Sequence, residues 1–120
     1  MRKGRKISGG KYKKARKKKL YEMPGQSRVV KLGPEKRKQI RTMGGKLKIV
    51  LLSSDNANII GKDGKCKIAK IKNVLETPAN KFLARTNVLM KGAIIETELG
   101  KARITNRPSQ EGQVNAILIE

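Results

Sequence analysis

The sequence predicts a mainly β protein, in which a small C-terminal β-barrel with one short helix follows an extended, basic N-terminal arm. Two observations lead to this fold class. Residues 1–48 hold 19 basic and 2 acidic residues, whereas residues 49–120 hold 11 and 7. The second part also contains several short extended runs separated by hairpin signals. We therefore predict an arm over residues 1–35 and a barrel domain over residues 36–120.

The arm is predicted to be disordered in the free protein. Only seven of the first 48 residues are Leu, Ile, Val or Phe, and this share of about 15% is too small for a highly charged segment to form a core. Frequent glycine and proline residues limit any helix there to about 13 residues, which is marginal in water.

The first hairpin is predicted between two extended runs within residues 36–52, because the glycines of residues 43–45 can supply the positive φ of a tight turn. Leu47, Ile49 and Leu51 share one face of the second run. We expect that face to be buried.

A second hairpin is predicted at Asp63-Gly64, between the runs NANII and CKIAKIKNV. In the latter run, Cys66 and Ile68 have the opposite parity to Ile71, so a regular strand cannot bury all three. A bulge near Ala69 or Lys70 would resolve the conflict. We expect Cys66 to be a buried structural thiol.

The remaining elements follow from local signals. Thr77 resembles an N-cap followed by proline, which predicts a helix over residues 78–85. A hairpin at residues 99–100 places Ala102 and Ile104 on one face. The run VNAILIE supplies the last strand.

The composition disfavours a catalytic site, a metal site, a disulfide and a membrane segment. The chain has no histidine and a single cysteine, so neither a zinc site nor an internal disulfide is expected, and the context is predicted to be reducing. The nearest carboxylate pair, Glu96 and Glu98, lies beside basic residues and is interpreted as solvated ion pairing. The strongest apolar run spans only residues 49–52, which is too short for a membrane span or a secretory signal. We predict no catalytic site, metal or cofactor.

The charge of +21 indicates a polyanionic partner, because unrelieved repulsion of this size costs stability. A solvated tail or a nuclear-targeting peptide is the alternative, but the basic residues extend over many more than the 5 to 8 positions of such a peptide. With three aromatic residues and no tryptophan, the chain lacks a platform for reading single-stranded bases. We therefore expect recognition of the backbone and shape of a folded RNA.

Arginines can hold phosphate groups bidentately, whereas lysines act as point charges. The predicted arginine contacts are Arg2, Arg5, Arg16, Arg28, Arg37 and Arg41. Lys3 and Lys31 belong to the same basic stretch and are also predicted contacts.

Five ordered blocks of the chain carry a family resemblance. They are GRKISGGKYKKARKKKLYEMPG, RTMGGKLKIVLL, TPANKFLARTN, KGAIIETELGKARIT and NRPSQEGQVNAILI. Together they cover nearly the whole chain, and they resemble the archaeal form of the small-subunit ribosomal protein S8e family. The lysine run alone would identify nothing, so the order and spacing of the blocks make the resemblance specific.

The resemblance implies a basic extension threaded into ribosomal RNA, a barrel seated on the body of the small subunit and no catalytic role. The RNA contacts that it implies in the arm are Gly4, Arg5, Lys6, Gly9, Gly10, Lys11, Lys13, Lys14, Arg16, Lys17, Lys18 and Lys19. Beyond the arm it implies Arg41, Gly44, Gly45, Lys46, Arg85, Arg107 and Gln110.

The resemblance also implies partners and a location. Ribosomal RNA of the small subunit and neighbouring ribosomal proteins are expected in a cytoplasmic ribosome, and no membrane, small-molecule substrate or second copy of the chain is expected. A ribosome-assembly factor built on a similar barrel is the alternative function. An enzyme is disfavoured because the chain has no histidine and no clustered nucleophile.

Overall fold

The structure is a computed structural model that describes residues 4–13, 16–61 and 63–119. The strands in chain order are β1 (Lys31–Leu32), β2 (Lys36–Arg41), β3 (Leu47–Ser54), β4 (Asn56–Ile60), β5 (Cys66–Glu76), β6 (Ile94–Thr97), β7 (Gly100–Ile104) and β8 (Asn115–Leu118). One α-helix, α1 (Lys81–Arg85), and two 3₁₀ turns, Leu20–Glu22 and Met43–Gly45, complete the described elements.

Strands β4 to β8 form a closed barrel in the order β4-β5-β6-β7-β8. Successive strands pair antiparallel, and the parallel pairing of β4 with β8 closes the barrel. Closure leaves the barrel without an unpaired edge. The predicted fold class, a mainly β protein with a small barrel and a short helix, is confirmed.

The core of the barrel combines alanines with larger branched residues. A narrow barrel fills its interior best when small and large side chains alternate, which explains this composition. The buried alanines are Ala57, Ala69, Ala93, Ala102 and Ala116, and the buried isoleucines are Ile59, Ile71, Ile95 and Ile104. Val30 and Leu51, from outside the barrel strands, join the same cluster.

The remaining strands form a second sheet in the order β1-β3-β2. Strands β2 and β3 pair antiparallel around residues 43–45, where Gly44 and Gly45 have φ angles of 79° and 76°. These left-handed conformations are readily available only to glycine. The first hairpin prediction is therefore confirmed, and we call residues 36–54 the β2–β3 hairpin.

The predicted burial of β3 is correct only at its end nearest the barrel. Leu51 is fully buried, but Leu47 and Ile49 are 66% and 45% exposed. Leu51 is buried because its side chain joins the core cluster of the barrel, which Leu47 and Ile49 do not reach. The loop of residues 106–113 lies along this end of β3, where the Leu51 N–H donates to the Pro108 carbonyl at 3.2 Å and the Gly112 N–H donates to the Ile49 carbonyl at 3.2 Å. The rest of the hairpin projects past the loop.

The Asp63-Gly64 hairpin is confirmed, but the predicted bulge in β5 is misplaced. Residues 66–70 pair with β4 in a regular register. The register shifts lie further along, against β6, between Ile71 and Asn73 and between Val74 and Glu76.

The position of the bulge decides which β5 side chains enter the barrel. Ala69 and Ile71 face inward, and the shift after Ile71 allows Val74, of opposite parity, to be buried as well. Because the strand is regular before that point, Cys66 and Ile68 point outward, with Ile68 74% exposed. The prediction that Cys66 is a buried thiol is therefore wrong.

Helix α1 begins three residues later than predicted. Its N-cap is Asn80, whose side-chain oxygen accepts a hydrogen bond from the Phe82 N–H at 2.9 Å. The predicted cap, Thr77, is buried instead, and its hydroxyl donates to the Asn80 carbonyl at 2.6 Å. Residues 78–80 thus form a turn before the helix, which ends at Arg85 as expected.

The last two predicted strand signals are confirmed. Strands β6 and β7 form a hairpin in which Thr97 pairs with Gly100, and Ala102 and Ile104 are buried. Strand β8 follows a loop that is organised by Asn106. The side-chain amide of Asn106 donates to the Gln113 carbonyl at 2.8 Å, and its oxygen accepts from the Asn115 N–H at 3.0 Å.

Candidate nucleic-acid interface

The first basic element of the arm folds back on itself as a tight turn. Gly9 has a φ of 76°, and its N–H donates to the Lys6 carbonyl at 2.8 Å. The Arg5 guanidinium donates to the Gly9 carbonyl at 2.9 Å, and Arg5 forms a bridge with Lys11. The turn is exposed throughout, so its lysine side chains face outward.

The second basic element contains an ion pair. The Arg16 guanidinium donates two hydrogen bonds to the Glu22 carboxylate, at 2.8 and 2.6 Å. The Lys19 N–H donates to the same carboxylate at 3.1 Å. These contacts, with the Arg16 pair the larger cause, lower the pKa of Glu22, and the carboxylate raises the pKa of Arg16.

Both acidic residues of the basic part of the chain are therefore bound to arginines. Glu22 pairs with Arg16, and Glu35 pairs with Arg37. Within residues 4–13, 16–61 and 63–119, these are the two ion pairs found. Neither acidic residue is left to compensate the lysines of the arm, and Lys17, Lys18 and Lys19 are all exposed.

The β2–β3 hairpin carries positive charge on both faces. Arg37 and Arg41 pair across the strands with Leu51 and Leu47, which places both arginines on one face. The other face carries Lys38, opposite Val50, and Lys48, opposite Ile40. Gly44, Gly45 and the exposed Lys46 form the turn at the tip.

The base of the arm meets the barrel at a cleft of about 350 Å³, which we call the junction cleft. Its walls are largely aliphatic, and Arg28, Lys91 and Arg107 line it. The Arg28 side chain also reaches the Ser109 carbonyl at 3.4 Å. The structure thus brings together two predicted residues, Arg28 and Arg107, that are far apart in sequence.

Other predicted residues lie apart from these groups. Lys31 is in β1, where it pairs with Ser53 of β3 and forms a bridge with Val88. Arg85 is on α1, and Gln110 is exposed on the loop of residues 106–113. The radius of gyration, 20.2 Å, exceeds the roughly 14 Å of a compact domain of this length. The chain is therefore extended, and its basic groups are spread along it.

Some sequence expectations concern residues that the structure does not describe. Arg2, Lys3 and Lys14 lie outside the described residues. In the part that is described, no three His, Cys, Asp or Glu side chains cluster as metal ligands. No helix among those residues is long and apolar enough to cross a membrane.

Three basic residues of the hairpin were not among the predicted contacts, although each is exposed beside residues that were. They are Lys36, Lys38 and Lys48. In the sequence, lysines stand two positions apart on both sides of the glycine turn, and this pattern could have indicated these three contacts. Lys91 was also missed, and only the fold brings it to Arg28 and Arg107.

Comparison with known proteins finds a family and a relative that match nearly the whole chain. Residues 1–119 match the sequence profile of the family described as Ribosomal protein S8e. A relative from Methanosarcina barkeri, the small ribosomal subunit protein eS8, is 49% identical over 117 residues. That match covers 97% of this chain and 94% of the relative.

Proposed function

The chain belongs to the ribosomal protein S8e family, and we propose that it is a structural protein of the small ribosomal subunit that binds ribosomal RNA. The contacts are made by the basic arm (residues 1–35) and the β2–β3 hairpin. Neighbouring ribosomal proteins are its other partners, in a cytoplasmic ribosome. The relative is named as a protein of the small subunit itself, which favours this role over that of an assembly factor.

The observation that carries the proposal is the pairing of Glu22 and Glu35 with arginines. Residues 1–48 hold 19 basic side chains, and these two acids already have partners. Phosphate groups would supply the missing negative charge, and each neutralised phosphate releases condensed counterions.

The shape of the basic surface favours backbone recognition. An arm and a projecting hairpin can enter grooves between RNA helices, where phosphates from several strands converge. The hairpin offers cations on both faces, so it can contact RNA on two sides. Within the arm, Gly4, Gly9 and Gly25 have open space at their Cα atoms, which would allow backbone to approach closely.

The test is a matched pair of triple variants. Lys17, Lys18 and Lys19 are changed to Gln in one variant, and Lys65, Lys67 and Lys70 of the barrel are changed to Gln in the other. Both remove the same charge from exposed positions. We expect only the arm variant to lose incorporation into small subunits and to have a shallower salt dependence of RNA affinity, with a slope reduced by about 2 to 3.

Co-sedimentation of the native protein with small subunits through a salt series gives the second measurement. Equal losses in the two triple variants would contradict recognition by the arm. Native protein found only in particle-free fractions would contradict a role in the subunit.

A further inference from the structure

Helix α1 presents an aromatic side chain to solvent from a fixed position. Phe82 is the only phenylalanine of the chain, and it is 70% exposed. The helix is short but anchored at both ends. Asn80 caps its start, and at its end the Asn87 N–H donates to the Ala84 carbonyl at 2.9 Å.

Asn87 also attaches the end of α1 to the barrel. It has a φ of 52°, which asparagine tolerates at the end of a helix. Its side-chain oxygen accepts a hydrogen bond from the Val74 N–H of β5 at 3.2 Å. Because Val74 is buried in the barrel core, the ring of Phe82 is carried by the rigid part of the molecule.

Cations lie on both sides of Phe82 in sequence. The Arg85 guanidinium lies over the ring, with its carbon 5.9 Å from the ring centroid. Lys81 and Arg85 are four residues apart, so they share one side of the helix. Both also line a cleft of about 330 Å³ between α1 and β5.

The walls of that cleft carry hydrogen-bonding and aliphatic groups. Asn73 and Asn87 contribute amides, and Leu75 and Ala84 contribute apolar surface. An exposed ring, adjacent guanidinium and ammonium groups and a cleft with amides match the parts of a nucleotide. The ring suits a base, and the cations suit its phosphate.

We propose that Phe82 is a stacking site for one unpaired RNA base, and that Lys81 and Arg85 hold the adjoining phosphate in the cleft beside α1. This inference rests on the proposed function, because it assumes that the chain binds RNA. It adds a base contact on the barrel to the backbone contacts of the arm and hairpin. Arg85 lies over one side of the ring, and the base stacks on the exposed remainder.

The absence of tryptophan from the chain allows a direct test. Phe82→Trp introduces a single indole, which fluoresces and can still stack. The matched control is Ile68→Trp, at a position that is 74% exposed on β5 and about 20 Å along the strand from the part beside α1. The probes are single-stranded oligoadenylate, a fully paired RNA duplex and inorganic polyphosphate, each added to the full chain.

We expect oligoadenylate to quench the indole fluorescence of the Phe82→Trp variant, and the duplex and polyphosphate to leave it nearly unchanged although they bind the arm. The fluorescence of the Ile68→Trp variant should be unaffected by all three probes. In the otherwise native chain, Phe82→Leu should weaken oligoadenylate binding about tenfold, and Phe82→Tyr should retain it. Equal quenching of the Phe82→Trp variant by polyphosphate and oligoadenylate would overturn the proposal.

Two further outcomes separate this inference from the proposed function. If all three probes bind and the fluorescence of the Phe82→Trp variant does not respond, the stacking site is wrong while RNA binding by the arm stands. If the indole of that variant becomes protected only in the assembled subunit and crosslinks there to protein rather than to RNA, Phe82 is a protein contact and the proposal fails. Failure of the chain to bind any of the RNAs would contradict the proposed function itself.

Discussion

The Arg16 guanidinium and the Glu22 carboxylate form a two-point ion pair, with N···O distances of 2.8 and 2.6 Å. The pair encloses the lysine run of residues 17–19 within a loop of the arm. An arginine held in this way has two of its five N–H donors occupied, and its positive charge is largely neutralised by the carboxylate. Glu22 therefore competes with RNA for one of the predicted contact residues.

The ion pair predicts a depressed pKa for Glu22. The Arg16 guanidinium is the main cause, and the Lys19 N–H adds to it. A carboxyl group with a lowered pKa stabilises the folded arm above its ordinary pKa, and this stabilisation is lost as the pH falls through the lowered value. An NMR titration should show Glu22 titrating below the ordinary range for glutamate, and Arg16→Gln should raise its pKa towards that range. An unchanged pKa in the variant would show that the pair does not form in solution.

Removing the competing carboxylate should strengthen RNA binding. In Glu22→Gln the Arg16 guanidinium is released from its ion pair, and one negative charge is lost from the arm. We expect higher affinity for small-subunit ribosomal RNA and a salt dependence that is steeper by about one phosphate contact, which is roughly 0.7 to 0.9 in slope. Filter binding over a series of salt concentrations measures both quantities.

The control for this variant is Glu96→Gln, which makes the same change of charge at an exposed position of β6. Its effect should be smaller, because the carboxylate lies on the barrel and pairs with none of the arm arginines that the structure describes. If both variants strengthen binding equally, the gain comes from net charge and not from Arg16.

The hairpins of both sheets were predictable because their signals are local. The glycine turns at residues 43–45, 63–64 and 99–100 each specify a hairpin by their own chemistry, and all three are present. Burial in β3 and β5 was less predictable, because it depends on distant segments. In β3 only Leu51 reaches the core cluster of the barrel, and in β5 the register shifts occur where the strand pairs with β6.

The candidate interface was also predictable only in part. Its charge can be read directly from the sequence, since 19 of the first 48 residues are basic. The ion pairs of Glu22 and Glu35 with arginines could not be predicted from the sequence. The meeting of Arg28, Lys91 and Arg107 at the junction cleft requires the folded barrel. The sequence also did not indicate the late start of α1 or the exposure of Phe82.

The assignment of inward and outward isoleucines predicts a contrast in stability. Ile95 is fully buried in the barrel core, whereas Ile68 is 74% exposed. Ile95→Ala should lower the free energy of unfolding by about 2 to 5 kcal/mol, because it removes buried methyl groups and leaves a cavity. Ile68→Ala should change it by less than about 0.5 kcal/mol. Chemical denaturation of both variants tests the register of β5, and a large loss in Ile68→Ala would show that the register is wrong.

Replacing a glycine in the turn of the β2–β3 hairpin should reduce stability through backbone strain alone. A Cβ on Gly45 would meet no atom within 4 Å, but its φ of 76° is strained for other residues. Gly45→Ala should destabilise the hairpin by about 1 to 2 kcal/mol. Hydrogen exchange of the β2 and β3 amides should then be faster by roughly 5- to 30-fold. Gly25→Ala, which also has open space but no positive φ, should leave these amides unchanged.

Replacing Gly112 should also reduce stability, but through a steric contact and not through backbone strain. A Cβ at this position would lie 2.9 Å from Cγ2 of Ile49, while the Gly112 N–H donates to the Ile49 carbonyl at 3.2 Å. Gly112→Ala should destabilise the protein by about 1 to 3 kcal/mol, because the contact forces the loop away from β3. Ile49→Ala removes Cγ2 and should restore most of that loss in the double variant. A double-mutant cycle of unfolding free energies measures the coupling. If the two losses simply add, the loop does not pack on Ile49, and another contact must hold it at the base of the hairpin.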